Sequence, residues 1–291
     1  MFVSMTIHEA SMQLRFQLFH IYDEREADNI SELVMENITG WKKIDRVVNK
    51  TVPLTQEQEK ILEAYTKLLL DHQPLQYVLH EAWFYGMLLY TDENVLIPRP
   101  ETEELVDWLI KDANKSSPQE KKILDVGTGS GCISLAIKKN MPEYEVHSCD
   151  ISKAALKVAE RNNAAQKLNV KFHQLDFLSE KDRNKLPLFD IIISNPPYVP
   201  EKDKITMSAN VLQYEPSLAL FVDNADPLIF YKAIVAFSKT HLNKDGMIYL
   251  EIHEEMAGAS MQMLKENGFT NIELRKDLQG RDRMIKAGLK V

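Results

Sequence analysis

Apolar residues recur at helical spacing through the first quarter of the chain: Leu14, Leu18, Ile21 and Tyr22, then Leu33, Val34 and Ile38. A three-to-four-residue period places such side chains on one face of a helix. A polar stretch at 45–50, with Pro53 after it, breaks the pattern. Thr55 and Gln58 then have the spacing of a capping box, in which each side chain satisfies a free backbone N–H at the helix start. The helix they open carries Ile61, Leu62, Tyr65, Leu68 and Leu69. Residues 1–75 are therefore expected to form a small helical domain. Residues 76–97 change character. Gln76-Tyr77-Val78-Leu79 and Trp83-Phe84-Tyr85 are aromatic and β-prone, Gly86 offers a turn, and Met87-Leu88-Leu89-Tyr90 follows. This segment is expected to be a β-hairpin linker. Pro98 and Pro100 stiffen the chain and set the start of the next helix, which runs to about Lys111.

From about Lys122 short apolar runs alternate with helical patterns. Strands are expected at 123–126, 145–150, 170–175, 189–194 and 247–252, and helices after the first glycine loop and at 152–166, 227–241 and 254–266. Phe189-Asp190-Ile191-Ile192-Ile193-Ser194 is apolar enough for a central strand covered on both faces. Two further strands, near 271–275 and 283–287, are close in sequence and are expected to be antiparallel. The fold class is α/β: a doubly wound, Rossmann-like sheet of about seven strands over residues 98–291, with the last strand antiparallel. Ligands of such sheets bind beyond the carboxyl ends of the strands.

Composition narrows the class of protein. The 291 residues are 44% apolar and 27% charged, with a formal net charge of −8. That balance disfavours a protein held mainly by nucleic-acid phosphates, which needs a basic footprint. Cys132 and Cys149 are the only cysteines and have no metal-like spacing, so free thiols in a reducing compartment are expected, and no metal. No apolar run is long enough for a signal peptide or a membrane span, so a cytoplasmic location is expected.

Asp125-Val126-Gly127-Thr128-Gly129-Ser130-Gly131 leaves the first strand of the sheet and enters a helix. Glycines there let the backbone turn sharply and a ligand come close. Asp150 ends the second strand, where a carboxylate can accept from both hydroxyls of a ribose, with Ile151 next to it. The dinucleotide fingerprint G-x-G-x-x-G receives a pyrophosphate, but the spacing here is G-x-G-x-G with Asp125 beside it. An acid at that place suits an ammonium group, such as the methionine end of S-adenosylmethionine. At the end of the third strand, Asp176 can accept from an adenine amino group and Phe177 can pack on its ring.

Asn195-Pro196-Pro197-Tyr198 follows the buried fourth strand. An amide nitrogen is a poor nucleophile because its lone pair is delocalised. The Asn195 oxygen and the Pro196 carbonyl can each accept one hydrogen of a planar NH₂ group, fixing it and favouring positive charge as it develops on nitrogen. Pro196 fixes the direction of its carbonyl, Pro197 adds rigidity, and Tyr198 can stack on the flat group. Arg99 and Glu101, in the rigid segment after Ile97, either begin a helix or help close the ligand pocket. Glu251 and His253 end the fifth strand and are expected to be structural. Trp41, Trp83 and Trp108 are expected to pack in the core or linker.

Together these motifs resemble the class I N-methyltransferases. Leu96-Ile97-Pro98-Arg99-Pro100-Glu101-Thr102-Glu103 and Tyr214-Glu215-Pro216 followed by Leu218-Ala219-Leu220 are similar to stretches of the HemK/PrmC family, protein-(glutamine-N5) methyltransferases acting on release factors. The resemblance spans nearly the whole chain and is strongest from 96 to 225. It implies S-adenosylmethionine as donor, held by Gly127–Gly131, Asp150 and Phe177. Trp is common in the family at the Phe177 position, and Phe keeps a flat wall without the indole N–H. It implies the glutamine of the Gly-Gly-Gln motif in class-I peptide chain release factors as acceptor, held by Asn195 and the Pro196 carbonyl, with the helical domain at 1–75 docking the substrate. A monomer is expected, without membrane or stable nucleic-acid binding. The same loop also suits an exocyclic amine, so a DNA or RNA methyltransferase acting on adenine N6 or guanine N2 is the alternative.

Overall fold

The structure is a computed structural model that describes residues 4–114 and 120–289. Its chain divides into two compact units, one ending at His80 and taking in Ser208–Tyr214, the other holding the rest.

The first unit is helical: α1 (Ile7–Leu18), α2 (Glu24–Thr39), α3 (Lys43–Val48), α4 (Gln56–Leu70) and α5 (Leu75–Leu79), joined by α10 (Ala209–Tyr214). Thr6 with Glu9 and Thr55 with Gln58 both close capping boxes, and Asp23 caps α2. Each cap satisfies N–H groups that the first turn leaves free. Leu14, Leu18, Val34, Leu62 and Leu69 share one buried core, with Trp41 packed against it. Two expectations fail here. The polar stretch near 45–50 is not a break but helix α3, because buried Arg46 reaches back to the Trp41 carbonyl and to Glu32. Gln76–Leu79 is not strand but the short helix α5, begun at Pro74; Tyr77 and Val78 are buried, and that burial overrides their β propensity.

The second unit opens with a hairpin, β1 (Ala82–Phe84) and β2 (Met87–Leu89), turned by Tyr85 and Gly86, both at positive φ. Trp83, expected to pack, is 67% exposed, since alternation along β1 buries Ala82 and Phe84 instead. Then follow α6 (Pro100–Ala113), β3 (Lys122–Val126), α7 (Cys132–Asn140), β4 (Glu145–Asp150), α8 (Lys153–Ala165), β5 (Lys171–Gln174), α9 (Glu180–Arg183) and β6 (Phe189–Ser194). After β6 come β7 (Val199–Pro200), α11 (Ser217–Leu220), β8 (Phe221–Val222), α12 (Ile229–His241), β9 (Leu242–Glu251), α13 (Ala257–Glu266), β10 (Phe269–Lys276) and β11 (Asp282–Leu289).

Among the described residues, seven strands form one sheet in the order β10-β11-β9-β6-β3-β4-β5. β4, β3, β6 and β9 run parallel, as does β5 beside β4, while β11 runs against both β9 and β10. Both faces are covered. Ile123, Ile191 and Ile193 join Leu105, Trp108 and Leu135 in one core; Leu124, Ile192 and Ile248 join Phe237 and Leu264 in the other. After β3 the order runs to one side through β4 and β5, and after β5 it resumes on the other side at β6. The crevice at such a reversal, outside the strands' carboxyl ends, is where open α/β sheets bind ligands.

Candidate active site

A cavity of about 250 Å³ occupies that crevice, reached by the carboxyl ends of β3, β4 and β6. Its floor is the glycine loop, of which Gly127, Thr128, Gly129 and Ser130 line it. Gly127 and Thr128 donate their N–H groups to the Cys149 carbonyl, tying the loop to the end of β4. Gly131 turns away from the cavity and starts α7 with φ +84°; a Cβ there would lie 3.1 Å from Leu135 Cδ1 and 3.2 Å from Ala159 Cβ. Only glycine accepts both that φ and that closeness.

Asp125 departs from the sequence reading. It does not line the cavity but is wholly buried, accepting from the hydroxyls of Thr128 at 2.7 Å and Ser148 at 2.9 Å. Burial pushes its carboxyl up to about 6 against those hydrogen bonds. It braces the loop from behind, because the pleat of β3 turns it inward.

Asp150 lines the cavity, and each of its oxygens accepts one backbone N–H, from Gly129 at 2.9 Å and Ser152 at 2.8 Å. A carboxylate offers about four lone-pair positions, so both oxygens can still accept from a vicinal diol. Burial raises its pKa, partly offset by those N–H donors. Ile151, Asp176 and Phe177 also line the cavity. Asp176 accepts from Leu178 N, and Phe177 is largely a core residue, set edge-on to Phe237 with ring centroids 5.3 Å apart. Leu218 adds apolar wall, as do Leu178 and Phe230, which the sequence did not single out.

At the end of β6 the Ser194 hydroxyl donates to the Val126 carbonyl, locking the strand end to β3. Asn195, Pro196 and Pro197 line the cavity from there. Asn195 donates from Nδ2 to Thr102 Oγ1 at 3.0 Å, and Thr102 donates to Glu251 Oε2 at 2.6 Å. Tyr198, expected to stack on a flat group, lies outside the cavity lining, and its hydroxyl donates to Glu251 Oε1 at 3.0 Å. That bond draws the ring toward β9, 6.1 Å from His253 between centroids. His253 Nδ1 accepts from Glu255 N, capping the turn at Glu254–Met256. Thr102 and Glu251 were missed as a pair, because α6 and β9 meet only in the fold.

Arg99 and Pro98 also line the cavity. Buried Glu215 accepts from Arg99 and from Ile97 N, which clamps the 97–99 segment. Glu101 instead accepts from Gln279 Nε2. The fit to S-adenosylmethionine rests on the cavity itself: apolar walls for a flat base, a carboxylate with spare lone pairs for a diol, and the buried Ser130 hydroxyl at its edge without a partner among the described residues.

This sheet order with one reversed strand, and the donor-shaped cavity at its switch point, define a class I S-adenosylmethionine-dependent methyltransferase. A crystal structure of a methyltransferase from Pyrococcus furiosus shares the fold, with a TM-score of 0.53 at 13% identity over 81% of this chain and all of that one. The methyltransferase small domain model matches residues 102–216, and the PrmC N-terminal domain model matches 9–79. The release factor glutamine methyltransferase of Flavobacterium psychrophilum is 40% identical over 94% of this chain and 95% of its own. Its namesake from Bacteroides thetaiotaomicron is 37% identical over 94% and 97%. The chain belongs to the release factor glutamine methyltransferase family.

Proposed function

We propose that this protein transfers the methyl group of S-adenosylmethionine to the side-chain amide N5 of the glutamine in the Gly-Gly-Gln motif of class-I peptide chain release factors, giving N5-methylglutamine and S-adenosylhomocysteine. The observation that carries this is Asn195: it stands on the cavity wall at the end of β6 with its NH₂ already given to Thr102, so its oxygen is the atom left to receive a substrate N–H.

In this reading Asp150 receives the ribose hydroxyls, and Ile151, Phe177 and Leu178 enclose the base with Asp176 at its edge. The glycine loop, Gly127–Gly131, passes under the methionine end. Asn195 Oδ1 and the Pro196 carbonyl accept the two hydrogens of the glutamine amide, fixing the group in place and favouring positive charge as it develops on nitrogen. Pro197 keeps the loop rigid, and Tyr198 anchors it through Glu251. S-adenosylmethionine, when bound, supplies the electrophilic methyl group. No general base is needed during transfer, since the nitrogen sheds its proton afterwards.

The remaining assignments follow from the same reading. Residues 1–75 together with helix α5 dock the release factor, the hairpin segment after it links, and 98–291 carry the chemistry. The enzyme works as a monomer in the cytoplasm, away from membranes and without stable nucleic-acid binding; among the described residues no helix is long and apolar enough to cross a membrane. The test is methyl transfer from labelled donor to recombinant release factor, to the same factor with its Gly-Gly-Gln glutamine changed to Ala, and to DNA and RNA. Label in the parent factor alone is the expected result. Label in nucleic acid but not in the factor overturns the reading in favour of an exocyclic amine.

A further inference from the structure

We infer that Thr102 and Glu251 are positioning residues that set which way the Asn195 amide faces, Glu251 taking the Thr102 hydroxyl proton so that Thr102 can only accept from Asn195. The inference rests on the proposed role of Asn195 in holding the substrate amide.

The argument starts from a symmetry. The two faces of an Asn amide are nearly alike in shape, and its terminal torsion is broad and roughly two-fold. Nothing in Asn195 itself decides whether oxygen or NH₂ faces the acceptor. A Thr hydroxyl has a single hydrogen. Here that hydrogen goes to Glu251 Oε2 at 2.6 Å, which leaves Oγ1 only lone pairs for its neighbour, Asn195 Nδ2 at 3.0 Å. The other Glu251 oxygen is held by the Tyr198 hydroxyl at 3.0 Å, so the carboxylate cannot turn away. Thr102 and Glu251 are almost wholly buried, which keeps water from competing for either bond. The chain from β9 through α6 to the end of β6 thus makes a two-fold choice one-sided.

Protonation reverses it. A neutral Glu251 can donate to Thr102, freeing the Thr102 hydrogen for the Asn195 oxygen. The amide then turns, and two N–H groups oppose the NH₂ of the substrate. Burial pushes the Glu251 carboxyl up to about 6, against the pull of Thr102, Tyr198 and Arg283 and with the push of Glu101. The groups around it are Thr102 and Glu101 from α6, Cys132 from α7, Tyr198 after β6, Arg283 on β11 and Tyr231 on α12, whose hydroxyl donates to the Glu251 carbonyl at 3.1 Å. Glu251, bonded directly to Thr102, is the carboxyl that burial lifts into the mildly acidic range.

The experiment is steady-state methylation of release factor by the full chain, with S-adenosylmethionine varied up to saturation. Thr102→Val keeps the shape and removes the hydroxyl; kcat is expected to fall about tenfold or more, with donor KM near the parent value. Thr102→Ser restores the hydroxyl and should return kcat to within about threefold of the parent. The parent kcat is expected to decline below pH about 6, and Glu251→Gln to lose that acid limb. A Thr102→Val enzyme as fast as the parent, or a Glu251→Gln enzyme that keeps the acid limb, overturns the inference. Should Thr102→Val fail to fold by thermal melting, the Ser and Gln variants decide it. An Asn195→Ala enzyme as active as the parent would instead sink the reading of Asn195, whereas an inactive Asn195→Ala beside an undiminished Thr102→Val sinks the positioning pair alone.

Discussion

Asp150 holds two backbone N–H groups and still has lone pairs to spare, so its loss removes a charged acceptor from the donor site without emptying the core. Asp150→Ala is expected to weaken S-adenosylhomocysteine binding about 10- to 100-fold, read by titration calorimetry, in line with hydrogen bonds to a charged group. Asn195→Ala should show the opposite split, with binding kept and turnover reduced about 100-fold or more, as when a donor or acceptor tuned to developing charge is lost. Single-turnover rates beside calorimetry check it. Asp125 makes a different prediction. Its carboxyl is raised in the folded state, so its contribution to stability is present below about 3.8 and is lost as pH climbs through about 6. Between pH 4.5 and 7 the parent should lose about 2 kcal/mol that Asp125→Asn does not, by urea unfolding at both pH values.

Elements with strong local signals were legible in the sequence. The Thr55–Gln58 box and the run of isoleucines in β6 each pointed to one structure, and each is found there. Gln76–Leu79 was misread because Tyr77 and Val78 favour strands when considered alone, whereas burial among helices decides a segment of that length. Helix α3 was hidden because its anchor, Arg46, bonds to groups outside its own turn. The Asn195 loop and the glycine loop were visible because each is continuous in sequence. The Thr102–Glu251 pair, 149 positions apart, was not visible, since only the packing of α6 against β9 brings it together. The turn into α7 yields a test at this scale. Gly131→Ala must strain a φ of +84° and press on Leu135 and Ala159. It is expected to cost about 1–3 kcal/mol of stability and to loosen donor binding, measured by denaturant unfolding and calorimetry.

For the molecule as a whole, the described residues that line the donor cavity all belong to the second unit, between Asn94 and Phe230. Saturating S-adenosylhomocysteine should therefore slow amide hydrogen exchange in the glycine loop, at the ends of β4 and β6 and in the 97–99 segment, while α1, α2 and α4 exchange as before. A ligand at 100 times its Kd adds about 2.7 kcal/mol to opening events that destroy its site, and mass spectrometry of exchanged peptides reads the difference. Uniform slowing across α1, α2 and α4 would contradict it.

The two outer strands of the sheet bear on how the protein behaves when crowded. A bare strand edge is a template on which another chain can add and start an aggregate. β5 offers only Lys171–Gln174, with Lys171 at its start, which is too short and too charged to seed much pairing. β10 is longer, but it carries Glu273, Arg275 and Lys276, its register against β11 slips between Thr270 and Glu273 and again after Arg275, and Asn271 sits at a φ of +51°. Bulges and charge of that kind twist an edge out of the flat geometry that fibrils need. The sheet that shapes the donor site thus ends on both sides in strands that resist extension, which guards the protein against strand-on-strand aggregation.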